Sequence, residues 1–179
     1  MTAVASFTII VMVKPIRGDK KMLNKFKPDM TASGLVEIDL KGLKREGFRG
    51  IIIDIDNTIM PYSSREIPGD IRKWIEKALG MNFNICFVSN TIRERAEYVE
   101  KLFGVQVLSQ SLKPLKRSFY RARDMFELTD DSMVVVGDQI FTDILGGNLA
   151  GFYTILVPPL EDKDFIVTRI MRRMERLFR

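Results

Sequence analysis

The chain has no histidine in its 179 residues and a single cysteine, Cys86. Without histidine there can be no Ser-His-Asp triad, no imidazole-ligated zinc and no imidazole general base. Acid–base work falls to carboxylates, Lys, Tyr or Cys. A metal site must be built mostly from oxygen, which suits Mg²⁺ or Ca²⁺. One cysteine excludes an internal disulfide and fits a reducing compartment. Cys86 lies in an apolar run and reads as a small buried hydrophobe. Long hydrophobic runs are lacking too. The apolar residues 3–13, AVASFTIIVMV, fall short of the roughly 20 needed to span a bilayer. No positive residue precedes them, as one would in a secretory signal. We read residues 1–21 as an extension outside the fold, with a membrane-touching anchor as the alternative.

What is present is an ordinary globular composition: 46% hydrophobic, 28% charged, net charge +5. Residues 22–179 suffice for one domain with a sizeable core. From residue 50 strand and helix patterns alternate. Strands are expected over 50–55, 84–90, 105–108, 132–138 and 153–158. Helices are expected over 70–80 (Asp70 cap, Gly80 stop), 91–104 (Thr91 cap, Gly104 stop), 114–127, 140–150 and 163–178. Strands separated by such helices form a parallel sheet covered on both faces, an α/β fold. Ligands of such sheets bind just beyond the carboxyl ends of the strands.

The stretch IIIDIDNTIM, residues 51–60, runs a buried strand into two acids, Asp54 and Asp56. Residues two apart share a face of an extended segment, so both can address one small ligand. Two close carboxylates repel unless a cation or proton intervenes. Asp138 and Asp143, in GDQIFTD, bring two more acids to a neighbouring strand end. Ser89 and Asn90 end another strand at an expected helix start, where free backbone N–H groups suit a phosphate or simply a cap. Lys113 precedes Pro114, which restricts it to an extended backbone near the same edge. Each residue alone has a bland reading, as a turn former, a cap or a solvated lysine. Together they suit phosphoryl transfer through a carboxylate nucleophile, with a metal offsetting the repulsion and a second carboxylate moving the proton.

In this order, DIDNT at 54–58, SN at 89–90, KP at 113–114 and GDQIFTD at 137–143 resemble the haloacid dehalogenase (HAD) superfamily of aspartate-nucleophile phosphatases. The nearer likeness is to subfamily IIIA and its YqeG-type members, through KFKPD, GFRGIIIDIDNT and GDQIFTDILGGNLAGFYTILV. The resemblance implies a HAD-like Rossmannoid three-layer sandwich with a parallel central sheet. It also implies Asp54 as nucleophile and Mg²⁺ ligand, and Asp56 as general acid/base that binds Mg²⁺ through its carbonyl. Ser89, with Asn90 beside it, would hold the phosphoryl group, and Lys113 would neutralise nucleophile and phosphate. Asp138 would ligate Mg²⁺, assisted by Asp143.

YqeG-type proteins are similar to phosphatidylglycerophosphate phosphatases, so the resemblance implies a phospholipid head group as substrate. The gaps after Thr58 and before Lys113 are too short for a cap domain. The site is therefore expected to be capless, covered at most by a flap around 61–67. The segment KDFIVTRIMRRMERLFR places Phe165, Ile170, Met174 and Leu177 near one stripe beside five arginines. It reads as a basic helix on an anionic membrane, or as a core-packed helix with solvated arginines. The expected setting is the cytoplasm, at the inner face of the membrane; oligomeric state is left open. Alternatives are a soluble sugar, nucleotide or nucleic-acid-end phosphate as substrate, or a non-catalytic membrane-associated binding protein. No base-stacking aromatics line a basic groove, so no nucleic acid is expected.

Overall fold

A computed structural model describes residues 22–161. The expectations for residues 1–21 and for the basic helix over 163–178 lie outside the described residues. The central strand β2, Gly50–Ile53, is three isoleucines in a row, buried on both faces. β-branched side chains favour such a strand, and burial on both faces calls for cover on both sides. Strands β3 (Asn84–Val88) and β4 (Val107–Leu108) lie to one side of it. On the other side lie β5 (Met133–Gly137), β6 (Tyr153–Leu156) and the two-residue β1 (Met30–Thr31). The order is β1-β6-β5-β2-β3-β4 and every pairing is parallel.

Alternate residues serve opposite faces, as the strand period of two demands. Ile51, Ile53, Ile85, Phe87, Val134 and Val136 pack with residues of α1 (Leu40–Arg45), α2 (Gly69–Gly80) and α3 (Arg93–Phe103). Ile52, Cys86, Val88 and Val135 pack with α4 (Lys116–Met125) and α5 (Leu145–Ala150). The result is the expected three-layer Rossmannoid sandwich around a parallel central sheet. Each fully buried aliphatic side chain stabilises it by about 1.5–3 kcal/mol. Cys86 is buried among them, and burial pushes its thiol up to about 12.

The element ends depart from expectation for local reasons. Helix α2 begins at Gly69 after an extended Pro68, so Asp70 sits in the first turn instead of capping it. Helix α3 begins at Arg93, because Ile92 is extended and the Thr91 N–H bonds back to Ser89 Oγ at 3.2 Å. It does end on Gly104, whose φ of 67° is left-handed, as a glycine stop should be. Helix α4 starts two residues past Pro114, after an extended Leu115. Expected helix 140–150 opens with a wider π-turn, Ile140–Ile144. Unforeseen were β1 and α1. The first is defined only by pairing with β6, and the second is six residues with Gly42 inside. Among the described residues no helix is long and apolar enough to cross a membrane.

Helix α5 approaches its neighbours closely through glycine. A Cβ at Gly146 would stand 2.4 Å from the buried Phe119 ring and 3.3 Å from the Pro114 backbone. Gly146→Ala should therefore lower the unfolding free energy by about 1–3 kcal/mol in urea titrations; an unchanged midpoint would contradict this packing.

Candidate active site

The carboxyl edge of the sheet gathers the expected residues. Asp54 follows β2 directly and its backbone N–H still bonds Val136 O at 3.0 Å, so its position is fixed by the ladder. Lys113 Nζ lies 2.5 Å from Asp54 Oδ1 and 2.6 Å from Asp143 Oδ1, and all three groups are buried. Carboxylate oxygens of Asp54, Asp138 and Asp143 lie within 4.8 Å of one another. Three acids thus face one ammonium, which leaves an excess of negative charge in a place water reaches poorly. Hard divalent ions with oxygen ligands fit that donor set. The chemistry of the cluster therefore suits a hard divalent cation, with Asp54, Asp138 and Asp143 as the residues that would hold it.

The electrostatics record the crowding. Burial, then Asp54 and Asp143, push the Asp138 carboxyl up to about 8, against the pull of the Thr58 hydroxyl that donates to it at 3.1 Å. Burial raises Asp143, opposed by Lys113. Burial alone would lower Lys113, but Asp143 and Asp54 outweigh it and hold the ammonium above its ordinary range. Burial and Asp54 raise Asp56, while Arg95 draws it down.

The turn after β2 explains the sequence that opens it. Asn57 takes a φ of 68°, a left-handed conformation that asparagine tolerates. That reversal brings Asn57 N–H to Met60 O at 2.7 Å. The buried Asn57 side chain then clamps the segment after β6: Nδ2 donates to Glu161 O at 3.2 Å, and Glu161 N–H donates to Oδ1 at 3.0 Å. Gly137, ending β5, leaves room for Asp143, whose Oδ2 would be 2.3 Å from a Cβ there.

Ser89 and Asn90 lie in the loop ahead of α3, not at its first turn. The free N–H groups expected of a helix start are therefore those of residues further on. Ser89 is buried and its hydroxyl accepts from Thr91 N–H. Asn90 grips the loop that carries Lys113: Oδ1 accepts from Lys113 N–H at 2.9 Å and from Ser111 Oγ at 3.1 Å. That positioning of the lysine was not foreseen.

Sequence reasoning also missed Arg95. Its Nε lies 3.0 Å from Asp56 Oδ1, an ionic contact without hydrogen-bond alignment. Its terminal nitrogens donate to Ser64 O at 2.9 Å and Pro61 O at 2.8 Å. One guanidinium thus ties the acid to the segment 61–64, the expected flap. On its other side this flap is held by Glu161, which accepts from Ser63 N–H at 3.1 Å. Tyr62 lies between them, its hydroxyl accepting from Gln139 Nε2 at 3.3 Å; burial and the carboxylates of Asp56, Asp138 and Asp54 keep that phenol neutral. An arginine one turn into a helix resembles any surface charge in sequence, so no signal marked it. Apart from this flap, nothing between β2 and α2 could act as a cap. A separate cavity of about 410 Å³ opens at the amino ends of β3 and β4, lined by residues such as Phe83, Val105 and Phe126. It contains no titratable side chain and has no part in this chemistry.

Known proteins resemble this chain in sequence and in fold. The family described as Mitochondrial PGP phosphatase matches residues 19–160. The "Probable phosphatase YqeG" of Bacillus subtilis (strain 168) is 34% identical over 156 residues, 87% of this chain and 91% of that protein. "Phosphatidylglycerophosphate phosphatase 1, chloroplastic/mitochondrial" of Arabidopsis thaliana is 32% identical over 159 residues, 83% of this chain but 45% of that longer protein. In fold, an uncharacterized protein from Listeria monocytogenes serotype 4b superposes with a TM-score of 0.53 at 20% identity, covering 65% of this chain and 84% of that one. A family pattern spanning most of the described fold, and a relative one-third identical along nearly its whole length, leave one assignment: the chain belongs to the mitochondrial PGP phosphatase family.

Proposed function

We propose that the chain is a Mg²⁺-dependent phosphatase that removes the terminal phosphate of phosphatidylglycerophosphate through a phosphorylated Asp54. The observation that carries this reading is the buried Lys113 ammonium between Asp54 and Asp143, with Asp138 beside them, in a member of this family. When bound, the divalent ion, held by Asp54, Asp138 and Asp143, would offset the negative charge of the phosphate and the attacking carboxylate. Everything else falls to the chain. Asp54 forms a bond to phosphorus as the ester P–O bond breaks. Asp56, held by Arg95, gives its proton to the leaving glycerol oxygen. A water then attacks the phosphorylated Asp54, the Asp56 carboxylate takes its proton, and inorganic phosphate leaves. Lys113 stays protonated throughout and balances charge on nucleophile and phosphate. Ser89 and Asn90 flank the phosphoryl group, Asn90 also setting the lysine loop. Burial and the neighbouring Asp54 raise the Asp56 carboxyl, which favours its part as proton donor. We place the enzyme in the cytoplasm at the inner face of an anionic membrane.

Asp54→Asn should cut phosphate release from phosphatidylglycerophosphate micelles by roughly 10⁴-fold or more in a protein that still folds. Substantial turnover in that variant would remove Asp54 as nucleophile. Metal dependence has a pH signature. The native Asp138 carboxyl, raised from 3.8 to about 8, binds its proton more tightly than the unfolded chain does. The ion-free protein therefore loses this stabilisation as pH rises through that window. Mg²⁺ must displace that proton, so saturating Mg²⁺ should raise the melting temperature more at pH 8 than at pH 5; equal increments would contradict the site. Arg95→Gln should lower kcat more than it alters KM and move the alkaline limb of the pH–rate profile upward, since it frees Asp56 to keep its proton longer. An unshifted limb with wild-type kcat would leave Arg95 with the flap alone.

A further inference from the structure

Exposed large apolar side chains are concentrated at one edge of this protein. Ile92 follows β3, Leu112 and Leu115 follow β4, Ile140 and Phe141 follow β5, and Leu160 follows β6. The strands are parallel, so these loops all leave the sheet at the edge that bears Asp54, Lys113 and Asp138. Among the described residues only Tyr98 and Leu149, both on helices, are comparable elsewhere. Exposed apolar residues scattered singly need no explanation, but a concentration around a catalytic edge does.

Two details separate this rim from chance. Leu112 holds a φ of 55°, left-handed backbone that suits glycine or asparagine, yet its side chain is 67% exposed. Packing among the described residues gives it little in return for that conformation. Phe141 is 70% exposed, with Phe26 meeting its ring edge-on at 5.6 Å. Charge points the same way. Lys116 and Arg117 are exposed in the first turn of α4, directly after Leu115. Lys116 also lies over the Tyr120 ring of the same helix, 5.7 Å from its centroid, but a cation at Arg117 opposes the helix dipole, so helix stability does not account for it. Apolar side chains interleaved with cations match the interface of an anionic bilayer, where tails lie beneath negative headgroups.

We infer that this rim is a membrane-docking surface: Leu112, Leu115, Ile140 and Phe141 enter the interfacial layer of an anionic bilayer, and Lys116 and Arg117 meet its headgroups. The inference rests on the reading of a lipid phosphate as substrate and says how that lipid is reached. Asp54 is buried at the foot of the rim. A rim seated among the headgroups brings the phosphate down to it without the lipid leaving the membrane.

The test uses full-length protein carrying Leu115→Trp or Phe141→Trp, with the chain's one native tryptophan, Trp74, buried as a constant background. With phosphatidylglycerol vesicles whose acyl chains are brominated, emission from either new tryptophan should shift blue and be quenched. A Tyr98→Trp control on α3 should stay unquenched. The double variant Leu115→Ser/Phe141→Ser should lose about tenfold or more in cosedimentation with phosphatidylglycerol vesicles, yet keep its turnover of soluble p-nitrophenyl phosphate. Unquenched tryptophans in a protein that hydrolyses phosphatidylglycerophosphate in detergent micelles would overturn the docking surface. So would concentration-dependent self-association through these residues without quenching, which would assign the rim to a second copy of the chain. Quenching without any hydrolysis of that lipid would instead remove the substrate reading and leave the surface standing.

Discussion

A buried ammonium between buried acids is the constraint around which this protein is arranged. Lys113 touches Asp54 and Asp143 at hydrogen-bond distance, in a place where an unpaired charge would be costly. Remove the lysine and, among the described residues, the acids that already repel Asp138 would lose the ammonium that balances them. Remove the acids and the ammonium would have no reason to stay inside. Mutual neutralisation stays incomplete by design of the residue set. The remaining negative charge gives a divalent ion and a phosphoryl group a reason to enter together.

Much of the surrounding structure holds that constraint in place. The β2 ladder fixes Asp54, and Gly137 makes room for Asp143. Asn90 holds the backbone at Lys113, and Thr58 donates to Asp138. Asn57 reverses the chain after the acids and ties the flap's root to the segment after β6. Arg95 reaches the other carboxylate from a helix and binds the flap with its remaining donors. Pre-positioned charges of this kind lower a barrier because they need not reorganise when the reaction occurs.

How much of this could be read beforehand followed from where the information sits. Three consecutive isoleucines ending on Asp54 announce a strand buried on both faces whatever the tertiary context, and the parallel sheet followed from the alternation around it. The acids and Lys113 were legible because strand ends collect ligands in such sheets. The two-residue β1 was not, since it exists only through its partner β6. Arg95 was hidden because its meaning depends on the Asp56 side chain and two flap residues, Pro61 and Ser64, that are remote in sequence. Asn90 was assigned a place beside the phosphate, while its hold on the lysine loop emerged only from the fold. Helix starts at 93 and 116 shifted because Ile92 and Leu115 are extended, a local choice that propensity does not reveal.

The proposed reaction requires Asp54 to carry the phosphoryl group. The most direct measurement is to turn over phosphatidylglycerophosphate with the Asp56→Asn variant, which slows breakdown of the phosphorylated enzyme, quench in acid, and reduce with borohydride. Peptide mass spectrometry should then find homoserine at position 54, the reduction product of an aspartyl phosphate. Phosphate release accompanied by unmodified aspartate at 54, or by homoserine at 138 or 143 instead, would contradict it.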